Sequence, residues 1–183
     1  MLKNLIRTLA VASIAIPAVA FAANPMVGGA PMYKTKNIVE NAVNSKDHTT
    51  LVAAVKAAGL VSTLEGAGPF TVFAPTNEAF AKLPKGTVDT LLKPENKAKL
   101  VKILTCHVVA ADAMSSAIKK MVKDDGGEHD VKTVGGCILK VKAKGSKITL
   151  TDEAGGVAHV TIADVQQSNG VIHVIDHVLL PKM

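Results

Sequence analysis

The sequence predicts an α+β domain, and three observations carry that prediction. The chain has 183 residues, the length of one ordinary domain. Apolar residues recur at helical spacing through the first half, from Asn37 to about Val122. From Val131 onward, apolar and polar residues alternate as they do in half-buried strands. Helices concentrated before strands argue for segregated α+β packing over a doubly wound sheet.

Residues 1–22 read as a secretory signal peptide. Lys3 and Arg7 form a basic start, Leu9 to Phe21 is uncharged, and Ala20-Phe21-Ala22 places small residues at −3 and −1 of a cleavage site. The uncharged stretch is shorter than the roughly 20 apolar residues a spanning helix needs. Cleavage after Ala22 would make the mature protein secreted or periplasmic, with no stable membrane insertion. Residues 23–36 carry Pro25, Gly28, Gly29 and Pro31 and read as a flexible leader, leaving 37–183 as the domain.

Within the domain, Ile38, Val39, Ala42 and Val43 make a first short apolar face. Leu51, Val52, Val55 and Ala58 make a second, with Asp47 as the expected N-cap and Gly59 as the stop. Phe70 to Ala74 is a short strand ended by Pro75. Thr76 caps a helix carrying Ala79, Phe80 and Leu83. Further helices are expected after Thr87 and near Pro94. Cys106 to Val109 reads as a strand, with Leu104, Cys106 and Val108 on one face and Thr105, His107 and Val109 on the other. Ala113 to Val122 returns to a helix, closed by the turn Asp124-Asp125-Gly126-Gly127. Cys137, Leu139, Val141 and Ala143 then alternate with Lys140, Lys142 and Lys144. Strands at Ile148–Leu150, Val157–Ile162 and Val171–Leu180 complete the chain, the last preceded by an Asn169-Gly170 turn.

Composition narrows the function classes. The chain has no Trp, one Tyr and four Phe, and Phe21 leaves with the signal peptide. Nucleic-acid platforms and Pro-rich peptide grooves both need aromatic rings, so neither partner is expected. The signal peptide also removes two cations and no anions, which lowers the formal charge from +6 to +4. The remaining lysines are too dispersed for a nucleic-acid patch.

Two segments identify a family. Thr71-Val72-Phe73-Ala74-Pro75-Thr76-Asn77-Glu78-Ala79-Phe80 resembles the first signature of the fasciclin domain. Asn169-Gly170-Val171-Ile172-His173-Val174-Ile175-Asp176-His177-Val178-Leu179-Leu180-Pro181 resembles the second. Between them, Leu104 to Val109 is similar to the family's central Tyr-His motif, with Cys106 where tyrosine is usual. The resemblance spans residues 37 to 181. It implies a wedge-shaped β-sandwich with helices packed on one side. It also implies extracellular adhesion or contact with matrix and surfaces, usually without catalysis.

The signature residues Thr71, Pro75, Thr76, Asn77, His107, His173 and Asp176 are expected to be structural. Alternation places Asp176 among Ile172, Val174 and Val178, where a carboxylate is costly unless donors meet it. Donors near Thr76 or Asn77 are the expected partners, with a catalytic or ligand-binding carboxylate as the alternative. His107 and His173 could approach across strands, with His159 as a third metal ligand; hydrogen-bonded core histidines are the competing reading. His173 and His177 cannot share a metal in a strand, since four residues span roughly 13 Å. No metal or other cofactor is expected. There is no Gly-x-Ser-x-Gly, phosphate loop or Cys-x-x-Cys, and the acidic pairs Asp124-Asp125 and Asp152-Glu153 read as solvated turns, so no enzyme activity is expected.

Export permits a disulfide between Cys106 and Cys137, both on apolar strand faces; two buried thiols are the alternative. Lys140, Lys142 and Lys144 form either an anion-contact face or a solvated strand face that discourages edge pairing. The expected function is adhesion or surface association through contacts with a protein or surface polymer of the cell envelope or a host. The alternative is a binder of a small apolar or lipid-like ligand, which a pocket of a few hundred Å³ would favour.

Overall fold

The structure, a computed structural model, describes residues 24–182. The expected signal peptide and its cleavage site lie outside them. The segment expected to be a flexible leader is packed instead. Strands β1 (Met26–Val27) and β2 (Ala30–Pro31) form a small hairpin. Gly28 and Gly29 turn it with positive φ, which lets Val27 and Met32 both reach the core, at 3% and 2% exposure. Burying two apolar side chains offsets the entropy of ordering so short a turn.

Helix α1 (Ile38–Ala42) starts in a capping box, with Asn37 and Glu40 each meeting the other's backbone N–H. A 3₁₀ turn at Lys46–His48 leads into α2 (Thr49–Ala58). The expected cap Asp47 lies inside that turn, and His48 takes the N-cap position. Gly59 ends α2 in the left-handed region, at φ 73°, where glycine carries no Cβ penalty. The short helix α3 (Val61–Leu64) follows. Strand β3 (Phe70–Pro75) leads into α4 (Asn77–Ala81), then α5 (Thr87–Leu91) and α6 (Lys97–Thr105).

Cys106 is not in a strand. Helix α6 runs to Thr105 with Cys106 as its C-cap, so the strand starts two residues later than alternation suggests. Strand β4 is only Val108–Val109. Cys106, His107 and Val108 are therefore all buried, which a strand with one solvent face would not allow. The rest of the chain is α7 (Ser115–Asp124), β5 (His129–Lys132), β6 (Ile138–Lys144), β7 (Lys147–Thr151), β8 (Val157–Gln167) and β9 (Gly170–Ile175). The last strand stops at Ile175, five residues earlier than expected.

Seven strands form one sheet in the order β4-β3-β9-β8-β7-β6-β5. Only β3 and β9 run parallel, from Phe70 opposite Gly170 to Pro75 opposite Ile175. Both are nearly continuous apolar runs because both faces are covered. Val72, Ala74, Ile172 and Val174 point into a core shared with the helices. Phe73 and Ile175 point into a second core, with α7 and the inner faces of β6, β7 and β8. The sheet bends at two irregularities in β8, between Val160 and Val165. Its two ends approach closely enough for the Val134 N–H to donate to the Val108 carbonyl at 2.7 Å. The result is a near-closed sandwich with α1 to α6 along one side and α7 against the second core.

Candidate functional site

The parallel pairing of β3 with β9 lays the two signature segments side by side. At their ends the Thr76 N–H donates to the Ile175 carbonyl at 3.2 Å. Pro75 closes the strand, and Thr76 Oγ1 accepts the Ala79 N–H at 3.2 Å as the cap of α4. Asn77 reaches across to the next helix. Its Oδ1 accepts from the Thr50 N–H at 3.0 Å, and its Nδ2 donates to the Lys46 carbonyl at 2.8 Å. Thr71 is fully buried; its hydroxyl donates to the Ala111 carbonyl at 2.6 Å and accepts the Ala113 N–H at 2.8 Å.

Asp176 departs from the expected arrangement. Because β9 ends at Ile175, the carboxylate leaves the aliphatic row and sits at the surface, 34% exposed. It accepts the His159 N–H at 2.7 Å rather than donors near Thr76 or Asn77. The Lys82 ammonium lies 3.8 Å away, and the His159 and His177 rings lie 3.4 and 3.9 Å away. Partial burial works to raise its pKa, but the His159 N–H and the nearby Lys82 ammonium bring it below the usual value. Lys82 also donates to the Asp176 carbonyl at 2.7 Å, so this corner still anchors α4 to the end of β9.

The two core histidines do not meet over a common ligand. His107 Nδ1 lies 2.9 Å from the Ile103 carbonyl, and Nε2 accepts the Leu179 N–H at 2.9 Å. His173 Nε2 lies 2.8 Å from the Ala113 carbonyl, and Nδ1 accepts the Asp164 N–H at 3.2 Å. Each bond to a carbonyl requires the ring nitrogen to carry the proton, which sets both tautomers. Burial lowers both pKa values, that of His107 to about 4. His159 is at the surface beside Asp176. Among the described residues, no three His, Cys, Asp or Glu side chains converge as metal ligands.

Cys106 and Cys137 are joined in a disulfide, with Cα atoms 5.4 Å apart. The bridge ties the end of α6 to the start of β6. The intervening loop also docks there, through Gly135 N–H to the Thr105 carbonyl at 2.9 Å. On the outer sheet face, Glu128 pairs with Lys140 at 2.9 Å and Lys142 at 3.1 Å. Lys144 stands opposite Lys147 across the hairpin.

Several polar residues carry more structure than sequence reasoning assigned them. Asn169 is buried in its turn, where it donates to the Leu64 and Gly66 carbonyls and accepts the Ile38 N–H. Asp152 is not a solvated turn acid. It is 7% exposed and accepts N–H groups from Ala154, Gly156 and Leu180. Asp164, at φ 60° in the bent strand β8, accepts the Ser115 N–H at the start of α7. Turn composition signals a short polar side chain at such positions but not the distant backbone it serves.

His48 was also missed. It is 3% exposed, with Nδ1 2.8 Å from Ser45 Oγ and no hydrogen-bond partner on Nε2. It lines an apolar cavity of about 60 Å³ between the helices and the sheet, walled by Leu51, Val55, Leu64, Val72 and Ile172 among others.

Comparison with known proteins agrees with this geometry. The fasciclin domain family model matches residues 46–181. The chain is 51% identical over 146 residues to protein sll1483 of Synechocystis, covering 80% of this chain and 74% of that protein. It is 40% identical over 131 residues to pig transforming growth factor-beta-induced protein ig-h3, covering 72% of this chain but 17% of the larger protein. It is 35% identical over 145 residues to the immunogenic protein MPB70 of Mycobacterium bovis, covering 76% of this chain and 66% of that one. Among solved structures, a FAS1 domain pair from the insect cell adhesion molecule fasciclin I superposes with a TM-score of 0.71 at 18% identity. That likeness covers 79% of this chain and 51% of the other, and concerns the fold. Two adjacent signatures, the helix-flanked sandwich and these matches together place the chain in the fasciclin domain family.

Proposed function

We propose that the protein is an exported fasciclin-domain module that mediates adhesion or surface association through protein contacts, without catalysis. One observation carries this reading: the signature side chains are committed to holding the fold together. Thr71, Thr76, Asn77, His107 and His173 all bond to backbone of neighbouring elements. The apolar cavity between the helices and the sheet is about 60 Å³, well short of the few hundred Å³ a lipid-like ligand occupies, and the larger clefts, of about 210 to 500 Å³, lie more open at the surface. Surfaces rather than an interior pocket are therefore left to act. Relatives that include ig-h3 and periostin, and the fold of an insect cell adhesion molecule, fit such a role.

The test is adhesion itself. Beads carrying the mature chain are titrated against envelope fragments of the source cells, before and after protease treatment of the fragments. Saturable, protease-sensitive attachment is expected. Attachment that survives protease, or never saturates, would sink the protein-contact reading.

A further inference from the structure

A surface cleft of about 500 Å³ lies between the α4–α5 loop, α5, α6 and the tail that follows β9. Its floor is apolar. Leu91 and Ile103 are buried there, and Leu83 and Leu180 are half-buried against the first core. The Leu180 N–H donates to the Asp152 carboxylate at 2.7 Å, which holds the tail in place. Pro84 and Gly86, the latter at φ 80°, turn the chain so that Lys85 stands exposed between α4 and α5. The charge lining the cleft has one sign: Lys85 and Lys99 line it and no Asp or Glu does. Neither lysine is in an ion pair among the described residues, whereas Lys82, Lys120, Lys140 and Lys142 are. The other surface clefts carry both signs, Lys34 with Asp112 in one and Lys132 with Asp130 in another.

We propose that this cleft docks a segment of a partner protein that carries aliphatic side chains flanked by carboxylates, the aliphatic groups on the leucine floor and the carboxylates on Lys85 and Lys99. An exposed apolar recess rimmed by polar groups is the usual mark of a protein contact, with charge kept to the rim. The single sign of that rim selects an acidic partner and rejects a basic one. A second copy meeting the cleft about a two-fold axis would set these lysines against each other. A small amphiphile is normally enclosed on most of its surface; here it would lie open to water, whereas a protein segment brings its own cover. No aromatic ring lines the cleft for a nucleic-acid base to stack on. The proposal rests on the adhesion reading for the partner being a protein, and it names the surface that reading leaves open.

The experiment titrates the ¹⁵N-labelled mature protein with a short capped peptide of two leucines flanked by glutamates. Controls are the same peptide with lysines for glutamates, the same with serines for leucines, and octanoate. Saturable shifts of the Gly86, Thr87 and Lys99 amides are expected with the first peptide alone, weakening as salt is raised. The double variant Lys85→Gln, Lys99→Gln changes only exposed side chains and should weaken that peptide about tenfold, as two surface ion pairs together would. No saturable shift, equal affinity for either control peptide, or unchanged affinity in the double variant overturns the proposal. Tighter binding of octanoate than of the peptide also overturns it, in favour of a small amphiphile. In the bead assay the double variant should lose most of the saturable, protease-sensitive attachment. Full attachment by that variant overturns the proposal and leaves adhesion standing. Wild-type beads that fail to attach sink the adhesion reading instead, and the peptide titration then decides the cleft alone.

Discussion

His107 is wholly enclosed, and burial holds its ring neutral with a pKa lowered to about 4. In the unfolded chain the same ring titrates near 6.5. Between those two values the unfolded chain binds a proton that the folded one refuses, so stability falls as pH drops through the window and is intact above it. The loss amounts to ~3 kcal/mol for this residue, and buried His48 and His173 shift in the same direction. Denaturant melts at pH 7 and pH 4.5 should show the decline, and His107→Gln should make it shallower. A flat wild-type profile would contradict this account. Gly170 is a second sharp residue-scale case. Its φ is 153°, and an added Cβ would stand 1.9 Å from the Phe70 carbonyl oxygen, in the backbone of a paired strand. Gly170→Ala should therefore cost at least about 2 kcal/mol. Gly145→Ala, at φ 62° with nothing nearby, should lose only the smaller strain of a left-handed alanine. Equal melting temperatures for the two variants would count against the steric argument.

At the scale of elements, alternation read the sheet well and the helix ends poorly. The lysine-bearing strand is β6 as expected, with Leu139 and Val141 inward and Lys140 and Lys142 outward. The region after Leu104 was misread because Cys106, His107 and Val108 also fit a strand pattern. A helix ending against a sheet buries consecutive residues, so local period loses its meaning there. The disulfide depends on that geometry, since it joins the cap of α6 to the start of β6. Alkylation of the denatured protein without reductant should add no label, and two added labels would exclude the bridge. Breaking it releases a separation of 31 residues and should lower stability by roughly 2–4 kcal/mol, seen as an earlier denaturant midpoint in reductant.

For the whole molecule, the decisive question is which surface acts. Glu128 already engages Lys140 and Lys142, and those pairs lower the glutamate's pKa. That arrangement suits a solvated face better than a polyanion groove. Charge reversal of Lys140, Lys142 and Lys144 together should leave surface attachment unchanged at both low and high salt. Salt-sensitive attachment lost on reversal would assign the face to an anionic polymer. By itself, the sequence determined the α+β class, the order of most elements, the two signatures and the aliphatic character of the core. Each of these follows from local spacing and composition. Tertiary structure alone decided that Val27 and Met32 pack into the core, that Asp176 faces Lys82 and His159, and that Asn169 and Asp152 are buried. It also decided which histidine keeps a free nitrogen. These outcomes depend on backbone groups distant in sequence, and a polar side chain carries no local mark of the distant partner that will satisfy it.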